Sequence, residues 1–241
     1  MTVVTTSAPP GLEVLSIIVP VFNEVRTVRA VIERLSSIAL PIEREILIVD
    51  DGSTDGTGGV LSDISRSGAP ITVIEAARNA GKGSAIRLGL SQVSGTIVAI
   101  QDADLELDPQ QLASLVQPIV ARETDVVYGS RFLRGASGAP WMTVAANRAL
   151  TGVTNLLYGS ALTDMETCYK VMRTEVARSL ALTANRFDIE PEITARLLRR
   201  GYRIRELPVR FDARSRAQGK KIGWRDGVRA VQVLVAERFR T

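Results

Sequence analysis

Two aspartates, Asp102 and Asp104, follow an apolar run at 96–100 and carry the most direct chemical signal in the chain. Because burying an unpaired charge is costly, carboxylates at the end of a strand-like run imply a partner. On an extended segment, side chains two residues apart point to the same side. Oxygen ligands that face one way suit Mg²⁺ or Mn²⁺, with a diphosphate filling the remaining coordination positions. Taken alone, the same pair is also explained by a solvated acidic turn.

Two further apolar runs end in acidic residues, which favours a binding site over a solvated turn. The run at 46–49 leads into Asp50–Asp51, and the run at 15–22 ends in Asn23–Glu24. Buried-type strands that deliver acids at their carboxyl ends are typical of an open, mostly parallel sheet, and ligands of α/β folds bind at that edge. The three acidic ends together predict a ligand site there.

The composition is that of a folded enzyme-sized unit. At 241 residues and 45% hydrophobic, the chain can bury a substantial core as a single domain. A lone Cys168 excludes an intramolecular disulfide, and residues 1–12 are expected to form a flexible tail without a secretory segment. No apolar stretch approaches the roughly 18–20 residues that span a bilayer. We therefore expect a cytoplasmic protein.

The absence of histidine limits the chemistry. With no histidine in the chain, a Ser-His-Asp or Cys-His mechanism and a histidine metal ligand are excluded. Any general base has to be Asp, Glu or Lys.

Positive charge is concentrated in the last part of the chain. Residues 196–241 contain 14 Lys and Arg against 4 Asp and Glu, although the whole chain carries a net charge of only +4. Such asymmetry indicates an anionic partner, either phosphates or an anionic membrane surface. Nucleic acid is not expected, because no nucleic-acid-binding motif accompanies the charge and aromatic residues make up only 5%. A solvated basic face is the alternative.

The apolar spacing predicts alternating strands and helices. Strands are predicted at 15–21, 45–49, 71–75, 96–100 and 125–129, and helices at 24–38, 56–66, 83–93 and 109–121. Repeated units of this kind imply right-handed crossovers and an α/β fold with a mostly parallel sheet flanked by helices. Beyond Arg131 the rhythm changes, and the predicted elements are helices at 142–158, 188–201 and 224–239 and a strand at 203–211.

Several motifs appear together in a recognisable order. The segments are 16–24, 48–57, 79–83, 102–104, 164–170, 187–193 and 214–224. The chain resembles the family 2 glycosyltransferases of GT-A fold, and most of all the branch of dolichyl- or polyprenyl-phosphate mannose and glucose synthases. The resemblance covers roughly residues 15–240. It implies one Rossmann-like GT-A domain over 13–241, with a nucleotide-binding part at 13–131 and an acceptor-side extension at 132–241.

The resemblance also implies roles for individual residues. Contacts with the nucleotide sugar fall to Pro20, Phe22, Glu24, Val49, Asp50, Asp51, Lys82, Asp102, Ala103 and Lys220. The implied ligands of Mg²⁺ or Mn²⁺ are Asp102, Asp104 and Glu106. The residues implied to act on the reacting phosphates are Asp104, Arg131, Arg214 and Lys221. Guanidinium groups suit phosphate oxygens, whereas lysine contributes a point charge.

The implied reaction is metal-dependent, inverting transfer of a hexose from a GDP-mannose or UDP-glucose type of donor to a polyprenyl or dolichyl phosphate. A phosphate acceptor is already ionised at neutral pH and needs little base catalysis, which agrees with the absence of histidine. A hydroxyl acceptor, soluble or on a glycan, would need a base. Glu166, Asp188 and Glu190 are the candidates for that base, and a structural salt bridge is an equally good account of each.

Some features depart from the family pattern. Many members carry carboxyl-terminal transmembrane helices that this sequence lacks, so peripheral membrane contact is expected from interfacial helices at 142–158 and 224–239. Packing against the body is the alternative for the second helix. Phe22 replaces a tyrosine often found there. We further expect a loop around 214–221 that orders over bound phosphates.

Two other kinds of function are open at this point. One is an inactive nucleotide-binding subunit of a membrane complex, which the intact Asp-x-Asp and basic residues argue against. The other is a nucleotidyltransferase, which would release pyrophosphate instead of a nucleoside diphosphate.

Overall fold

The computed structural model describes residues 13–133, 141–212 and 224–240. Within these ranges seven strands form one sheet. They are β1 (Val14–Val21), β2 (Glu43–Asp50), β3 (Ile71–Glu75), β4 (Ile97–Ile100), β5 (Val126–Ser130), β6 (Lys170–Arg173) and β7 (Arg205–Pro208). The order across the sheet is β3-β2-β1-β4-β6-β5-β7.

Helices connect and flank these strands. They are α1 (Val28–Ser37), α2 (Thr57–Arg66), α3 (Lys82–Gln92), α4 (Leu112–Val120), α5 (Trp141–Tyr158), α6 (Thr174–Ser179), α7 (Ile189–Arg199) and α8 (Trp224–Arg238). The helix predicted at 109–121 begins as a 3₁₀ turn, Pro109–Gln111, before α4. Helix α1 starts four residues later than predicted, at Val28, because the Glu24 carbonyl accepts the backbone N–H groups of Thr27 and Val28 in a turn that precedes the helix.

The sheet is mostly parallel, as predicted. Strands β1, β2, β3 and β4 pair in parallel, and β7 is parallel to β5. The neighbours of β1 are β2 and β4, so the acidic carboxyl ends of these three strands meet at one edge, as the sequence indicates. Strand β6 lies antiparallel between β4 and β5. Neither β6 nor α6 was predicted. Strand β6 has only four residues and begins with a lysine, and helix α6 has only six residues.

The core lies between the sheet and the helices on its faces. Helix α1 buries Val28, Val31, Ile32 and Leu35, which recur at helical spacing. Helix α8 buries Ala230 and Leu234 but leaves Val228 and Val235 exposed, so its apolar residues do not all face the body. No helix in the described ranges is both long and apolar enough to cross a membrane.

Candidate functional site

The carboxyl ends of β1 and β2 are joined by hydrogen bonds between their loops. The Asn23 backbone N–H donates to Ser53 Oγ at 2.9 Å, and the Thr54 N–H donates back to Asn23 Oδ1 at 2.8 Å. The Glu24 N–H donates to Thr57 Oγ1 at 3.0 Å. Asn23 has a left-handed φ of 55°, which asparagine tolerates better than most residues. The two strand ends therefore behave as one preorganised edge.

Two buried aspartates shape this edge. Asp51 accepts hydrogen bonds from Asn79 Nδ2 at 2.9 Å and from the backbone N–H groups of Ala80 and Gly81 at 3.0 and 2.7 Å. The carboxylate thus positions the loop that leads into α3, since charge-assisted bonds to backbone N–H groups are strong. Asp50, equally buried, accepts a backbone hydrogen bond within its own loop. Any contact of the Asp51 carboxylate with a nucleotide would share oxygens already engaged in the protein.

Two glycines allow the loops to approach closely. A Cβ on Gly52, whose φ is +72°, would lie 2.8 Å from the backbone carbon of Arg78. A Cβ on Gly81, whose φ is +103°, would lie 2.5 Å from the Asn185 carbonyl oxygen. At both positions the backbone φ is positive, and an added Cβ would clash with main-chain atoms that cannot move aside. Glycine is therefore required at both.

Asp102, the first carboxylate after β4, is paired with Lys82 at the start of α3. Lys82 Nζ lies 2.8 Å from Asp102 Oδ1 and 3.0 Å from Glu190 Oε1. Burial of the Asp102 carboxyl raises its pKa, but the Lys82 charge and hydrogen bonds from Lys82 and Cys168 outweigh this effect. The net pKa of Asp102 is below its ordinary value, so this carboxylate is ionised at neutral pH.

The loop after Asp102 is held in a defined conformation. Buried Gln101 donates a hydrogen bond to the Asp102 carbonyl, and the Tyr169 hydroxyl donates to Gln101 Oε1 at 2.7 Å. Asp104 Oδ1 accepts the Glu106 N–H at 3.1 Å. Leu105, between them, has φ 64°, which is uncommon for a non-glycine residue and occurs often at functional sites.

The donor set can be tested against the implied metal. Asp102 and Asp104 offer carboxylate oxygens, and the lowered pKa of Asp102 keeps it charged, so the pair fits Mg²⁺ or Mn²⁺. Across the part of the chain that the structure describes, no three His, Cys, Asp or Glu side chains form a ready-made metal cluster. A site of two aspartates completed by diphosphate oxygens agrees with this arrangement, and Glu106 as a third ligand stays a prediction.

Arg131, directly after β5, faces the same region from the other half of the sheet. Its Nε and Nη2 each lie 2.7 Å from an oxygen of the fully buried Asp164. The guanidinium carbon also lies 5.5 Å from the ring centre of Phe132 and 5.2 Å from that of Phe211. The bidentate pair fixes the guanidinium plane, and its charge contributes to the low pKa of Asp102.

Lys170 is a site residue that the sequence analysis missed. It is fully buried, and its ammonium donates to Glu190 Oε2 at 2.5 Å and to the carbonyl oxygens of Thr167 and Met165. The available signal was a lysine next to an apolar run, because a buried ammonium requires such partners. Its bonds fix the 165–168 segment against α7.

The three carboxylates considered as bases differ in their surroundings. Asp188 pairs with Arg229 at 2.8 Å, and Glu190 pairs with two lysines. Glu166 is half-buried, and its Oε1 is buried without a hydrogen bond from any described residue. Burial raises the pKa of Glu166 to about 7, with Lys170 opposing the rise. Glu166 thus titrates near neutral pH.

The remaining predicted residues fall into three groups. Pro20, Phe22 and Glu24 are partly exposed at the edge, where a ligand could reach them. The side chains of Val49 and Ala103 are buried in the core, so contact with a ligand would come from their main chain. The predicted phosphate-binding residues Arg214, Lys220 and Lys221 lie outside the described residues, as do the expected tail at 1–12 and the loop around 214–221.

Comparisons with known proteins show which proteins this chain is similar to. Residues 16–180 match the sequence model of the family described as Glycosyl transferase family 2. Dodecaprenyl-phosphate galacturonate synthase from Rhizobium johnstonii is 30% identical over 86% of this chain and 61% of the relative. Dolichol-phosphate mannosyltransferase from Pyrococcus furiosus is 27% identical over 87% of this chain and 59% of the relative. The chain thus spans about three fifths of the length of these two relatives.

Other relatives are of similar length to this chain or share its fold. Undecaprenyl-phosphate mannosyltransferase from Micrococcus luteus is 30% identical over 90% of both chains. Glucosyl-3-phosphoglycerate synthase from Mycobacterium tuberculosis, solved with Mn²⁺, UDP and glucosyl-3-phosphoglycerate, superimposes with a TM-score of 0.71 at 20% identity. That alignment covers 95% of this chain and 80% of the other, and it confirms the expected GT-A fold. The family model matches well over half of the sequence, and the protein therefore belongs to glycosyl transferase family 2.

Proposed function

We propose that this protein transfers a hexose from a nucleotide-diphosphate sugar to a polyprenyl or dolichyl phosphate, with inversion at the anomeric carbon. The observation that carries the proposal is the ionised Asp102 at the carboxyl edge of the sheet, flanked by the cations Lys82 and Arg131. A diphosphate with a divalent cation is the ligand that this charge pattern suits. The names of three relatives, which refer to dodecaprenyl, dolichol and undecaprenyl phosphates, support the lipid acceptor.

On the donor side, the base and ribose would bind along the joined ends of β1 and β2. The residues assigned to that pocket are Pro20, Phe22, Glu24, Val49, Asp50 and Asp51, with the last two also holding the loops. Mg²⁺ or Mn²⁺, held by Asp102 and Asp104, would neutralise the charge that develops on the departing nucleoside diphosphate. Lys82 and Arg131 add positive charge from the protein, and Arg131 is already oriented by Asp164.

On the acceptor side, the nucleophile would be a phosphate oxygen, which is ionised at neutral pH. No protein base is then required, in agreement with a sequence without histidine. Arg131, Arg214, Lys220 and Lys221 would hold the two phosphate groups for in-line attack, so that much of the barrier is lowered by positioning.

Peripheral contact with a membrane follows from a lipid acceptor. Helices α5 and α8 pack together and leave large apolar side chains exposed, with Trp141 78% and Leu156 86% accessible. Phe239 just beyond α8 is also exposed, and arginines such as Arg238 lie nearby in sequence. Apolar side chains with basic neighbours suit the interface of an anionic leaflet. We infer that this pair of helices rests on the inner face of the cytoplasmic membrane.

A second candidate function is transfer to a sugar hydroxyl. Its support is Glu166, because a carboxyl whose pKa is about 7 is suited to accept a proton near neutral pH. In that case Glu166→Gln should nearly abolish turnover. With a phosphate acceptor, the same variant should retain most of it.

The test is a donor and acceptor screen with the purified protein. GDP-mannose, UDP-glucose and related donors are incubated with undecaprenyl phosphate, undecaprenol or a soluble glycan, each with Mg²⁺, Mn²⁺ or EDTA. We expect a lipid-linked sugar and one equivalent of nucleoside diphosphate with the phosphorylated lipid alone, and none with EDTA. Product on undecaprenol or on the glycan would favour the hydroxyl-acceptor function, and the release of no nucleoside diphosphate with any donor and acceptor would reject glycosyl transfer.

A further inference from the structure

Lys82 stands between two carboxylates that come from different halves of the molecule. Its Nζ lies 2.8 Å from Asp102 Oδ1 after β4 and 3.0 Å from Glu190 Oε1 in the first turn of α7. The Lys82 side chain is 13% exposed, and that of Glu190 only 4%. One ammonium is thus shared between a proposed metal ligand and a buried acid that lies outside the proposed ligand set.

Glu190 cannot readily follow Lys82, because its other oxygen is firmly bound. Glu190 Oε2 accepts from Lys170 Nζ at 2.5 Å. The remaining donors of Lys170 go to the carbonyl oxygens of Met165 and Thr167, and the ammonium lies 4.8 Å from the centre of the Tyr128 ring. An ammonium has three donors, so Lys170 is fully satisfied. The Glu190 carboxylate is therefore held in place beside Lys82 by its bond to Lys170.

The Lys82–Glu190 contact is an ion pair more than a directional hydrogen bond. Glu190 Oε1 is buried and accepts no hydrogen bond of normal geometry within the described ranges, although Lys82 Nζ is 3.0 Å away. At such a distance in a buried setting, the attraction between opposite charges is substantial. Lys82 is accordingly pulled in two directions, toward Asp102 and toward Glu190.

We propose that Glu190 is a positioning residue that holds Lys82 back from Asp102 and so keeps this carboxylate available to a divalent cation. The inference rests on the proposed metal-dependent function. A cation that binds Asp102 must compete with Lys82 for the same oxygen. Where Glu190 shares the ammonium, this competition is weaker, and Lys82 keeps a negative partner after the metal has bound. Without Glu190, Lys82 would pair with Asp102 alone and would face the metal without compensation.

The test is a double-mutant cycle on Mn²⁺ binding, followed by the electron paramagnetic resonance signal of free Mn²⁺ with and without UDP or GDP. The four proteins are the wild type, Glu190→Gln, Lys82→Met and the double variant. We expect Glu190→Gln to weaken Mn²⁺ binding about tenfold in the wild-type background and by less than about threefold in the Lys82→Met background. Equal losses in both backgrounds, or no loss in either, would overturn the proposal.

Glu192→Gln provides a matched control. Glu192 is a buried carboxylate on the same helix, but its partners are Arg196 and the segment at 183–184. We expect Mn²⁺ binding to be unchanged in this variant. A loss equal to that of Glu190→Gln would show that any missing charge in α7 has the same effect, and it would reject a specific role of Glu190.

A second set of variants guards against misfolding, because Glu190→Gln leaves the buried Lys170 without its carboxylate. If thermal melting shows that Glu190→Gln is unfolded, the cycle is repeated with Glu190→Gln/Lys170→Met in place of the single change, and the same criteria apply. Mn²⁺ binding needs neither a sugar donor nor an acceptor, so failure of the transfer assay does not affect this result. A wild type that binds no Mn²⁺ at millimolar concentration, with or without nucleoside diphosphate, also overturns the proposal.

Discussion

The proposed donor and acceptor sides of the site are built from different interactions. The donor-side edge, made of the loops at 22–27, 51–56, 76–81 and 101–108, is held by hydrogen bonds from backbone N–H groups and by glycine contacts. The acceptor side, made of α5, α7 and α8, is held by ion pairs between side chains. Arg196 on α7, for example, lies 2.7 Å from Glu237 on α8. The acceptor side also carries the exposed apolar side chains of α5 and α8.

This difference matches what each side is proposed to recognise. Backbone hydrogen bonds and close main-chain packing at glycines allow the loops almost no displacement. The donor-side edge is therefore preorganised for one class of ligand. Long charged side chains can rearrange, and exposed apolar residues can meet a surface of no fixed shape. Substitutions on the two sides should therefore fail in different ways, by loss of chemistry or fold on the donor side and by loss of surface binding on the acceptor side.

The largest effect is expected from Asp104→Asn on the donor side. Losing a charged metal ligand should remove several kcal/mol of transition-state stabilisation and lower turnover by about three orders of magnitude. The melting temperature should change little, because Asp104 is partly exposed. Asp63→Asn, at an exposed aspartate on α2, serves as the control and should keep full activity. Near-normal turnover of Asp104→Asn with saturating Mn²⁺ would contradict the assignment.

A glycine pair tests the rigidity of the donor-side edge. Gly81→Ala places a Cβ 2.5 Å from the Asn185 carbonyl oxygen at a positive φ, and it should destabilise the protein by about 2–4 kcal/mol. Gly59→Ala lies within α2 and meets nothing within 4 Å, so it should stabilise by about 0.5–1 kcal/mol. Urea denaturation measures both free energies of unfolding. Equal stability of the two variants would show that the edge yields more readily than its geometry indicates.

Glu166→Gln tests the raised pKa of this buried carboxyl through the pH dependence of stability. The pKa of Glu166 is 4.5 in an unfolded chain and about 7 in the folded protein, so the folded state binds more protons within this window. The free energy of unfolding should therefore fall as pH rises from 4.5 to 7, by about 2–3 kcal/mol from this group. In Glu166→Gln that contribution disappears. Urea denaturation at pH 5 and pH 8 checks it, and equal pH dependence in both proteins would contradict the raised pKa.

The smallest effect is expected on the acceptor-side surface. Leu156→Ser removes an 86% exposed leucine from α5 and should weaken binding to anionic phospholipid vesicles about tenfold, because a leucine side chain loses apolar burial in the lipid interface. Cosedimentation measures the binding, and the melting temperature should stay unchanged. Val25→Ser, 37% exposed near the end of β1, should leave vesicle binding unaltered. Equal binding by all three proteins would remove the support for membrane contact through α5.

Much of the donor-side edge could be predicted from sequence. Apolar runs that end in acids indicated β1, β2 and β4, and the sheet places β1 between the other two. The signal is strong because buried parallel strands have a continuous apolar pattern. The helix ends were less well defined, as α1 shows, because local turns compete with the helix at its first residues.

Interactions between segments that are distant in the chain were harder to predict. Strand β6 is short and starts with Lys170, whose burial depends on Glu190 and two carbonyl groups from other segments. Asp51 was expected to face a nucleotide, yet its carboxylate also holds the loop before α3. Such roles depend on which groups meet in space, and residue type alone does not reveal them.

The sequence by itself determined the residue types that the chemistry needs, the mostly parallel α/β framework and the gathering of carboxylates at one edge. These follow from local periodicity and from the cost of burying charge, which act on neighbouring residues. Only the tertiary structure decided that Lys82 is shared by Asp102 and Glu190, that Arg131 is oriented by Asp164, and that Glu166 has a pKa of about 7. Each of these depends on distances between segments far apart in the chain and on the exclusion of water around them, and neither quantity exists before the chain has folded.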